Sequence, residues 1–188
     1  MECVDSRTDY DLKKHAEHSG AKLSYFDQQK QDPETGKNGW RYTPYVIEPA
    51  AGVTRGLLVY LLDAYHEETV PNADGEDSSR VVMKLHPRLA PIKVAVLPLV
   101  KKDGFPEIAR EMVSGFFKAG INARYDEQHS IGKRYRRHDE AGTPYCITID
   151  GQTTEDGTVT IRDRDTMEQE RISKDEVLQV VQKRLIES

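Results

Sequence analysis

The sequence predicts an α/β protein whose second half forms a mixed β-sheet with helices on the sheet faces. From residue 92 onward, short apolar runs typical of buried strands alternate with longer amphipathic segments typical of helices. Helices that connect parallel strands in this way cover both faces of a sheet. The predicted strands are 92–99, 121–125, 145–149, 158–164 and 166–172, and the predicted helices are 105–119, 130–141 and 173–185.

Local signals support the ends of these elements. The helix over Phe105–Ala119 has Pro106 in its first turn and Gly120 just beyond its end, which are the positions where these residues favour a helix. Ser173 followed by Glu176 predicts a capping box at the start of the last helix. The two final strands are expected to pair with each other in antiparallel fashion.

The first half of the chain is less regular. A helix is predicted over Thr8–His18, and a hairpin turn at Asn38–Gly39. Tyr45–Ile47 has the residue types of a buried strand, and Val53–Glu68 repeats apolar residues at helical spacing. We therefore expect this helix to pack on the strand, and Val70–Ser79 to follow it as a solvated loop.

Composition excludes several classes of protein. The 188 residues carry a net charge of -5 and a mean hydropathy of -0.70, and no stretch approaches the roughly 20 apolar residues of a membrane-spanning helix. The first residues lack the basic and apolar segments of a signal peptide. Cys3 and Cys146 are expected to be reduced thiols. His15 and His18 near Cys3 have no second cysteine beside them, so no metal site is expected.

One predicted strand–helix junction has the residue types of a ligand pocket. The segment Pro44–Arg55 (PYVIEPAAGVTR) places Glu48 at the end of a strand and Arg55 in the first turn of the next helix. A helix N-terminus and a planar guanidinium suit phosphate, and a carboxylate can accept an ammonium group. Spacing alone also allows an ordinary junction whose arginine forms a surface salt bridge.

The same segment resembles motif 3 of the class II aminoacyl-tRNA synthetases, and its form YVIEPxAGVxRG is close to that of the glycyl-tRNA synthetase family. The resemblance implies that residues 1–88 are the C-terminal part of an antiparallel-sheet catalytic domain and that residues 89–188 are an anticodon-binding domain. It covers nearly the whole chain, through RTDYDL at 7–12, KLHPRLAP at 84–91, SIGKRYRR at 130–137, GTP at 142–144 and VTIRDRDT at 159–166.

The resemblance also implies a function, which is the ATP-dependent attachment of glycine to its tRNA by a cytoplasmic homodimer that uses Mg²⁺. By the match of residues, Arg55 would bind ATP, and Glu48 and Ala50 would line the glycine site. The family pattern has Ser at the position of Ala50 and Asp at that of Thr54, so the details of glycine recognition are expected to differ.

Motifs 1 and 2 of the class are absent from this sequence. Motif 1 serves dimerisation, and motif 2 carries the arginine that holds the ATP α-phosphate, a charge-neutralising role whose loss is costly. We therefore expect a C-terminal fragment that is inactive alone, binds no cofactor tightly, and has binding of the tRNA anticodon arm as its main autonomous activity. The alternative is a non-catalytic synthetase paralogue that acts as a tRNA-binding or accessory protein.

A dense basic cluster lies on the predicted helix over residues 130–141. Such a cluster with an aromatic residue suits RNA, because the cations can neutralise phosphates and the ring can stack on a base. The alternative is a solvated basic helix paired with nearby acidic residues. The residues predicted to contact tRNA are Lys133, Arg134, Tyr135, Arg136 and Arg137.

Charges also alternate along Arg162–Asp165 in a predicted strand. This pattern is typical of an exposed strand face whose charges pair across strands. We expect no catalytic role for it, because no nucleophile or histidine is tied to it by spacing.

Overall fold

The computed structural model describes residues 2–71 and 77–188. The chain divides into two compact units, one reaching as far as Leu58 and the other extending from Val59 to Ser188. The division falls inside one helix, Val53–Ala64, which therefore belongs in part to each unit.

The first unit is built from pairs of antiparallel strands. Its elements are β1 (Glu2–Thr8), α1 (Tyr10–Ser19), β2 (Tyr25–Gln31), β3 (Asn38–Tyr42), β4 (Val46–Ala51) and the start of α2 (Val53–Ala64). Strand β1 pairs with β4, and β2 pairs with β3. The predicted helix near the start is present as α1. The turn predicted at Asn38–Gly39 is wrong, because these residues begin β3 and hydrogen bonds between Asp32 and Gly36 and between Asp32 and Lys37 close the connection.

The expectation that Tyr45–Ile47 and the following helix bury each other is also wrong. The side chains of Tyr45 and Ile47 are 69% and 59% exposed. Apolar side chains are exposed all around α2, namely Val53, Leu57, Leu58, Val59, Tyr60, Leu61 and Leu62. Periodicity shows that a surface is apolar, but it does not show whether the surface finds its partner in the same chain. A helix that is apolar all round is typical of the interior of a larger protein.

The second unit begins with the end of α2, which is shorter than predicted. The helix stops at Ala64 and the chain continues as β5 (Tyr65–Pro71), which pairs with β6 (Asp77–Met83) from Tyr65 opposite Met83 to Pro71 opposite Asp77. Hairpin pairing therefore replaces the last turn of the predicted helix. The predicted loop Val70–Ser79 contributes residues to both strands, and its positions 72–76 lie outside the described residues.

A mixed sheet follows the hairpin. Its strands lie in the order β11-β10-β9-β7-β8, with β7 parallel to β8 and β9, and β10 antiparallel to β9 and β11. The predicted α/β class is confirmed, and the structure adds one short helix, α5. The elements are β7 (Val94–Pro98), α3 (Phe105–Lys118), β8 (Ala123–Tyr125), α4 (Ile131–Glu140), β9 (Tyr145–Ile149), α5 (Gly151–Asp156), β10 (Thr158–Asp163), β11 (Gln169–Ser173) and α6 (Val177–Glu187). None of the helices in the described residues is long and apolar enough to cross a membrane.

The core lies on both faces of this sheet, because β7 and β9 are buried throughout. On one face, Val94, Val96, Ile147 and Ile149 pack with residues of α3 and α6, including Phe105, Phe116, Val177 and Val181. On the other face, Ala95, Leu97 and Cys146 pack with Ile131 and Tyr135 of α4. The predicted placement of helices on the sheet faces is therefore confirmed.

A group of buried charges joins the β5–β6 hairpin to the sheet. The Asp139 carboxylate of α4 accepts hydrogen bonds from Arg80 Nε at 3.0 Å and from both terminal nitrogens of Arg162 at 2.8 and 3.1 Å. Arg80 also donates to Glu68 at 2.9 Å and to the carbonyl of Arg164. The expectation that Arg162–Asp165 forms an exposed face is wrong, because Arg162 and Arg164 are 6% and 2% exposed. Arg164 pairs with its neighbour Asp165, but Arg162 bonds Asp139 and Arg164 also bonds the Gly142 carbonyl, and these distant partners are not predicted by local charge alternation.

Gly142, in the turn after α4, lets two segments approach closely. Its φ of 74° is in the left-handed region, and a Cβ at this position would lie 2.8 Å from Leu85 Cδ1 and 3.0 Å from the Met83 carbonyl oxygen. Gly120 has almost the same φ of 76°, but a Cβ there would have nothing within 4 Å. A comparison of the two glycines therefore distinguishes the cost of a left-handed backbone from the cost of a steric contact.

We expect Gly142→Ala to destabilise the chain more than Gly120→Ala. Left-handed strain should cost both variants about 1–2 kcal/mol, and overpacking against Leu85 and Met83 should add about 1–3 kcal/mol for Gly142→Ala alone. Urea unfolding of the two variants measures the difference. Equal losses of unfolding free energy would show that the close approach at Gly142 does not constrain the fold.

Candidate functional site

The first candidate site is the polar face of the β1–β4 pair. Asp5 lies opposite Glu48, and Cys3 lies opposite Ala50, so these four side chains share one face of the ladder. The predicted glycine-site residues Glu48 and Ala50 are therefore neighbours on one strand. Two carboxylates on this face can attract an ammonium group.

Arg7 is a residue of this site that the sequence reasoning missed. Its Nε lies 3.3 Å from the Glu48 carboxylate, and its guanidinium donates two hydrogen bonds to Asp11 at 2.8 and 3.0 Å. The hydrogen bond from Arg7 holds the pKa of Asp11 below its usual value. The available signal was the spacing of four residues between Arg7 and Asp11, which predicts a pair but gives no hint of Glu48.

The predicted ATP-binding residue, Arg55, lies in the first turn of α2, directly after β4. The unsatisfied N–H groups at a helix start and a guanidinium fit a phosphate chain. The described residues contain no group of three or more His, Cys, Asp or Glu side chains that could hold a metal ion. The roles of Arg55 in ATP binding and of Mg²⁺ as a cofactor therefore stay predictions.

The second candidate site is a cavity of about 760 Å³ in the second unit. Its walls come from the β5–β6 hairpin, α4 and the β10–β11 pair. Two carboxylates, Asp139 and Glu140, line it together with more numerous cations. The basic lining residues are Arg80, Lys133, Arg136, Arg137 and Arg162.

The cations of α4 differ in how they are placed. Lys133 is exposed, and Arg137 is partly exposed and pairs with Asp126 at 2.7 Å. Arg136 donates to the Ser79 carbonyl at 2.8 Å and to Ser78 Oγ at 2.9 Å, which attaches it to β6. The alternative of a solvated basic helix is therefore not what the structure has, because the arginines of α4 are largely engaged by protein groups.

Arg134, which is predicted to contact tRNA, does not line the cavity. It is 2% exposed and donates to the carbonyls of Pro98 at 2.7 Å and Asp126 at 3.2 Å. Pro98 ends β7 and Asp126 directly follows β8, so Arg134 caps the carboxyl ends of two strands that α4 covers. Burial lowers its pKa.

Tyr135 contributes an aromatic surface to the cavity. Its hydroxyl lies 2.6 Å from Thr148 Oγ1, and the Arg162 guanidinium lies 4.8 Å from the centre of its ring. Burial raises the pKa of Tyr135, so the hydroxyl is neutral at physiological pH. The ring and the guanidinium together form a cation–π platform in the wall of the cavity.

His138 and Asp126 form a buried pair beneath Arg137. His138 Nε2 lies 3.4 Å from the Asp126 carboxylate without the geometry of a hydrogen bond, and Nδ1 faces Thr143. Burial lowers the pKa of His138 and outweighs the attraction of Asp126. Burial also opposes ionisation of Asp126, but the Gln128 N–H and Arg137 together keep its pKa below its usual value.

Because the folded state holds His138 neutral, the chain should lose stability as the pH falls below the unfolded-state value of about 6.5. The unfolded chain takes up the proton first, so this slope should approach about 1.4 kcal/mol per pH unit. The loss from Asp126 belongs to a lower window, below its unfolded value of 3.8. In His138→Gln the slope between pH 7 and 5 should become shallower, whereas the exposed control His18→Gln should keep the parental slope. An unchanged slope in His138→Gln, measured by urea unfolding, would contradict a buried neutral imidazole.

Comparison with known proteins gives the site a context. Residues 93–184 match the family model described as an anticodon binding domain, a span that runs from the start of β7 into α6 and includes α4. The matched span begins after the β5–β6 hairpin.

Whole-chain relatives agree with the domain match. The chain is 51% identical to a glycine–tRNA ligase of Corynebacterium efficiens over 99% of the chain and 38% of the relative. It is 50% identical to glycine–tRNA ligases of Thermobifida fusca, over 98% of the chain and 38% of the relative, and of Clostridium perfringens, over 97% and 37%. The chain thus spans about 38% of the length of these relatives. Over nearly its whole length the chain is therefore similar to part of the glycine–tRNA ligases, and its residues 93–184 match the anticodon binding domain family.

Proposed function

We propose that the second unit binds the anticodon arm of a glycine tRNA at the basic cavity. The observation that carries this proposal is the convergence of five cationic side chains on one cavity within and beside the anticodon-binding domain. Because the net charge is -5, the chain as a whole repels RNA at long range. Association therefore needs such a local concentration of positive charge.

The side chains of the cavity suggest a division of roles. Lys133 is exposed and free to reach a phosphate, which supplies affinity but carries no sequence information. Tyr135 is the aromatic side chain of the lining and would contact an unpaired base, because single-stranded loops of RNA are usually recognised with the help of aromatic side chains. Arg136 and Arg137 are held by protein groups and contribute mainly to the shape and potential of the wall.

We further propose that the chain corresponds to the C-terminal part of a glycine–tRNA ligase that uses ATP, Mg²⁺ and glycine, and that acts as a cytoplasmic homodimer. Glu48, which lies on the same strand as Ala50 and pairs with Arg7, would receive the glycine ammonium group. Arg55 at the start of α2 would contact the ATP phosphates. The apolar exposed surface of α2 supports this proposal, since the remainder of a larger catalytic domain would cover it.

A non-catalytic tRNA-binding paralogue is the competing function. It would need the cavity of the second unit, but it would not need a carboxylate face beside an arginine at a helix start. The arrangement of Arg7, Glu48 and Arg55 therefore favours the enzyme.

Lys133→Ala should weaken binding of a glycine-tRNA anticodon stem-loop. Loss of one phosphate contact should lower the slope of log K against log salt by roughly one unit, and about equally for stem-loops with altered anticodons. Fluorescence anisotropy at several salt concentrations gives this slope. Lys118→Ala, which removes an exposed charge outside the cavity lining, is the matched control. If both variants keep the parental slope, Lys133 makes no phosphate contact.

The isolated chain should not catalyse glycine-dependent exchange of pyrophosphate into ATP. The sequence lacks the motif 2 arginine, and the catalysis expected here depends mainly on positioning and charge neutralisation. Pyrophosphate exchange with purified chain, and with a full-length relative as positive control, provides the measurement. Robust turnover by the 188-residue chain would refute the assignment of catalysis to a longer protein.

A further inference from the structure

Arg80 is unusual among the cavity residues, because it comes from a two-stranded hairpin and is nevertheless 1% exposed. Its guanidinium donates to three different elements, which are α4 through Asp139, β5 through Glu68, and the turn after β10 through the Arg164 carbonyl. The side chain therefore fixes the hairpin, the helix and the turn relative to one another within the second unit.

The Asp139 carboxylate links the position of Arg80 to the geometry of the cavity wall. It bonds Arg80 on one side and Arg162 on the other, and the Arg162 guanidinium lies 4.8 Å from the centre of the Tyr135 ring. Without Arg80, Asp139 would be free to turn toward Arg162 alone. The platform formed by Arg162 and Tyr135 in the cavity wall would then lose its fixed orientation.

A second pair of contacts acts on the rim of the cavity. Ser78 Oγ and the Ser79 carbonyl accept hydrogen bonds from the two terminal nitrogens of Arg136 at 2.9 and 2.8 Å. Strand β6 thus orients one cation of α4 directly and another cation, Arg162, through Asp139. Both contacts originate outside residues 93–184.

We propose that β6 is part of the RNA-binding site and that Arg80 is a positioning residue for base recognition. This proposal rests on the proposed binding of the anticodon arm. Arg80 does not contact RNA itself; it sets the geometry of the Arg162–Tyr135 platform, while Ser78 and Ser79 set that of Arg136. The functional RNA-binding module then begins at the β5–β6 hairpin, and a boundary at residues 88 and 89 would remove its positioning groups.

The test uses the full chain with Arg80→Lys, which keeps the positive charge but cannot bond three partners with a planar fork. The probes are a glycine-tRNA anticodon stem-loop and the same stem-loop with its three anticodon bases replaced by uridine. The control is Lys84→Met, which removes a cation that pairs with Glu68 from the same hairpin but does not line the cavity. Guanidinium NMR signals of Arg162 and Arg136 in the RNA-free protein report the platform independently.

Arg80→Lys should lower the preference for the glycine stem-loop on the order of tenfold, leave the salt slope unchanged and shift the Arg162 signals. Lys84→Met should keep the parental preference. If Arg80→Lys does not fold, Ser78→Ala, which leaves the buried charges in place, should lower the preference and shift the Arg136 signals.

Parental preference and parental NMR signals in a folded Arg80→Lys or Ser78→Ala variant would overturn the positioning role. A failure of the proposed function is recognised separately, because the parent chain would then show no preference between the two stem-loops.

Discussion

The second unit depends on one shared carboxylate, that of Asp139, which lies between the guanidinium groups of Arg80 and Arg162. A buried ion pair of this kind adds little net stability compared with an apolar core, but removing one member leaves an uncompensated buried charge. The arrangement therefore acts mainly on specificity. It permits one placement of the hairpin on α4 and β10, and that placement closes the wall of the cavity.

The sheet of the second unit was largely predictable from sequence. Its central strands β7 and β9 are mostly apolar runs because both faces are covered, and Pro106 and Gly120 mark the ends of α3. The wall of the cavity was not predictable in the same way. Arg80 and Asp139 are 59 positions apart, so nothing in a local window indicates that they meet or that Arg162 joins them. The charge alternation at Arg162–Asp165 therefore predicted an exposed face where the structure has buried pairs.

The first unit shows the opposite limitation. The residue types of Glu48, Ala50 and Arg55 predicted a strand–helix junction, and the structure has one, but the predicted burial of Tyr45–Ile47 and α2 is wrong. Burial depends on a partner surface, and periodicity gives no information about whether the partner is present. Arg7 was missed for a related reason, because its contact with Glu48 crosses from one strand to another.

The two cysteines have a consequence for experiments on this chain. Cys146 lies in the central strand β9, and burial raises the pKa of its thiol to about 12, whereas Cys3 is exposed. The hydrogen bond to Asp5 also raises the pKa of Cys3, but this thiol is accessible. An alkylating or disulfide reagent should therefore modify Cys3 first and reach Cys146 only when the sheet opens. The second unit thus contains a built-in chemical reporter of local opening, and its labelling rate measures how tightly the strands around the Asp139 carboxylate are held.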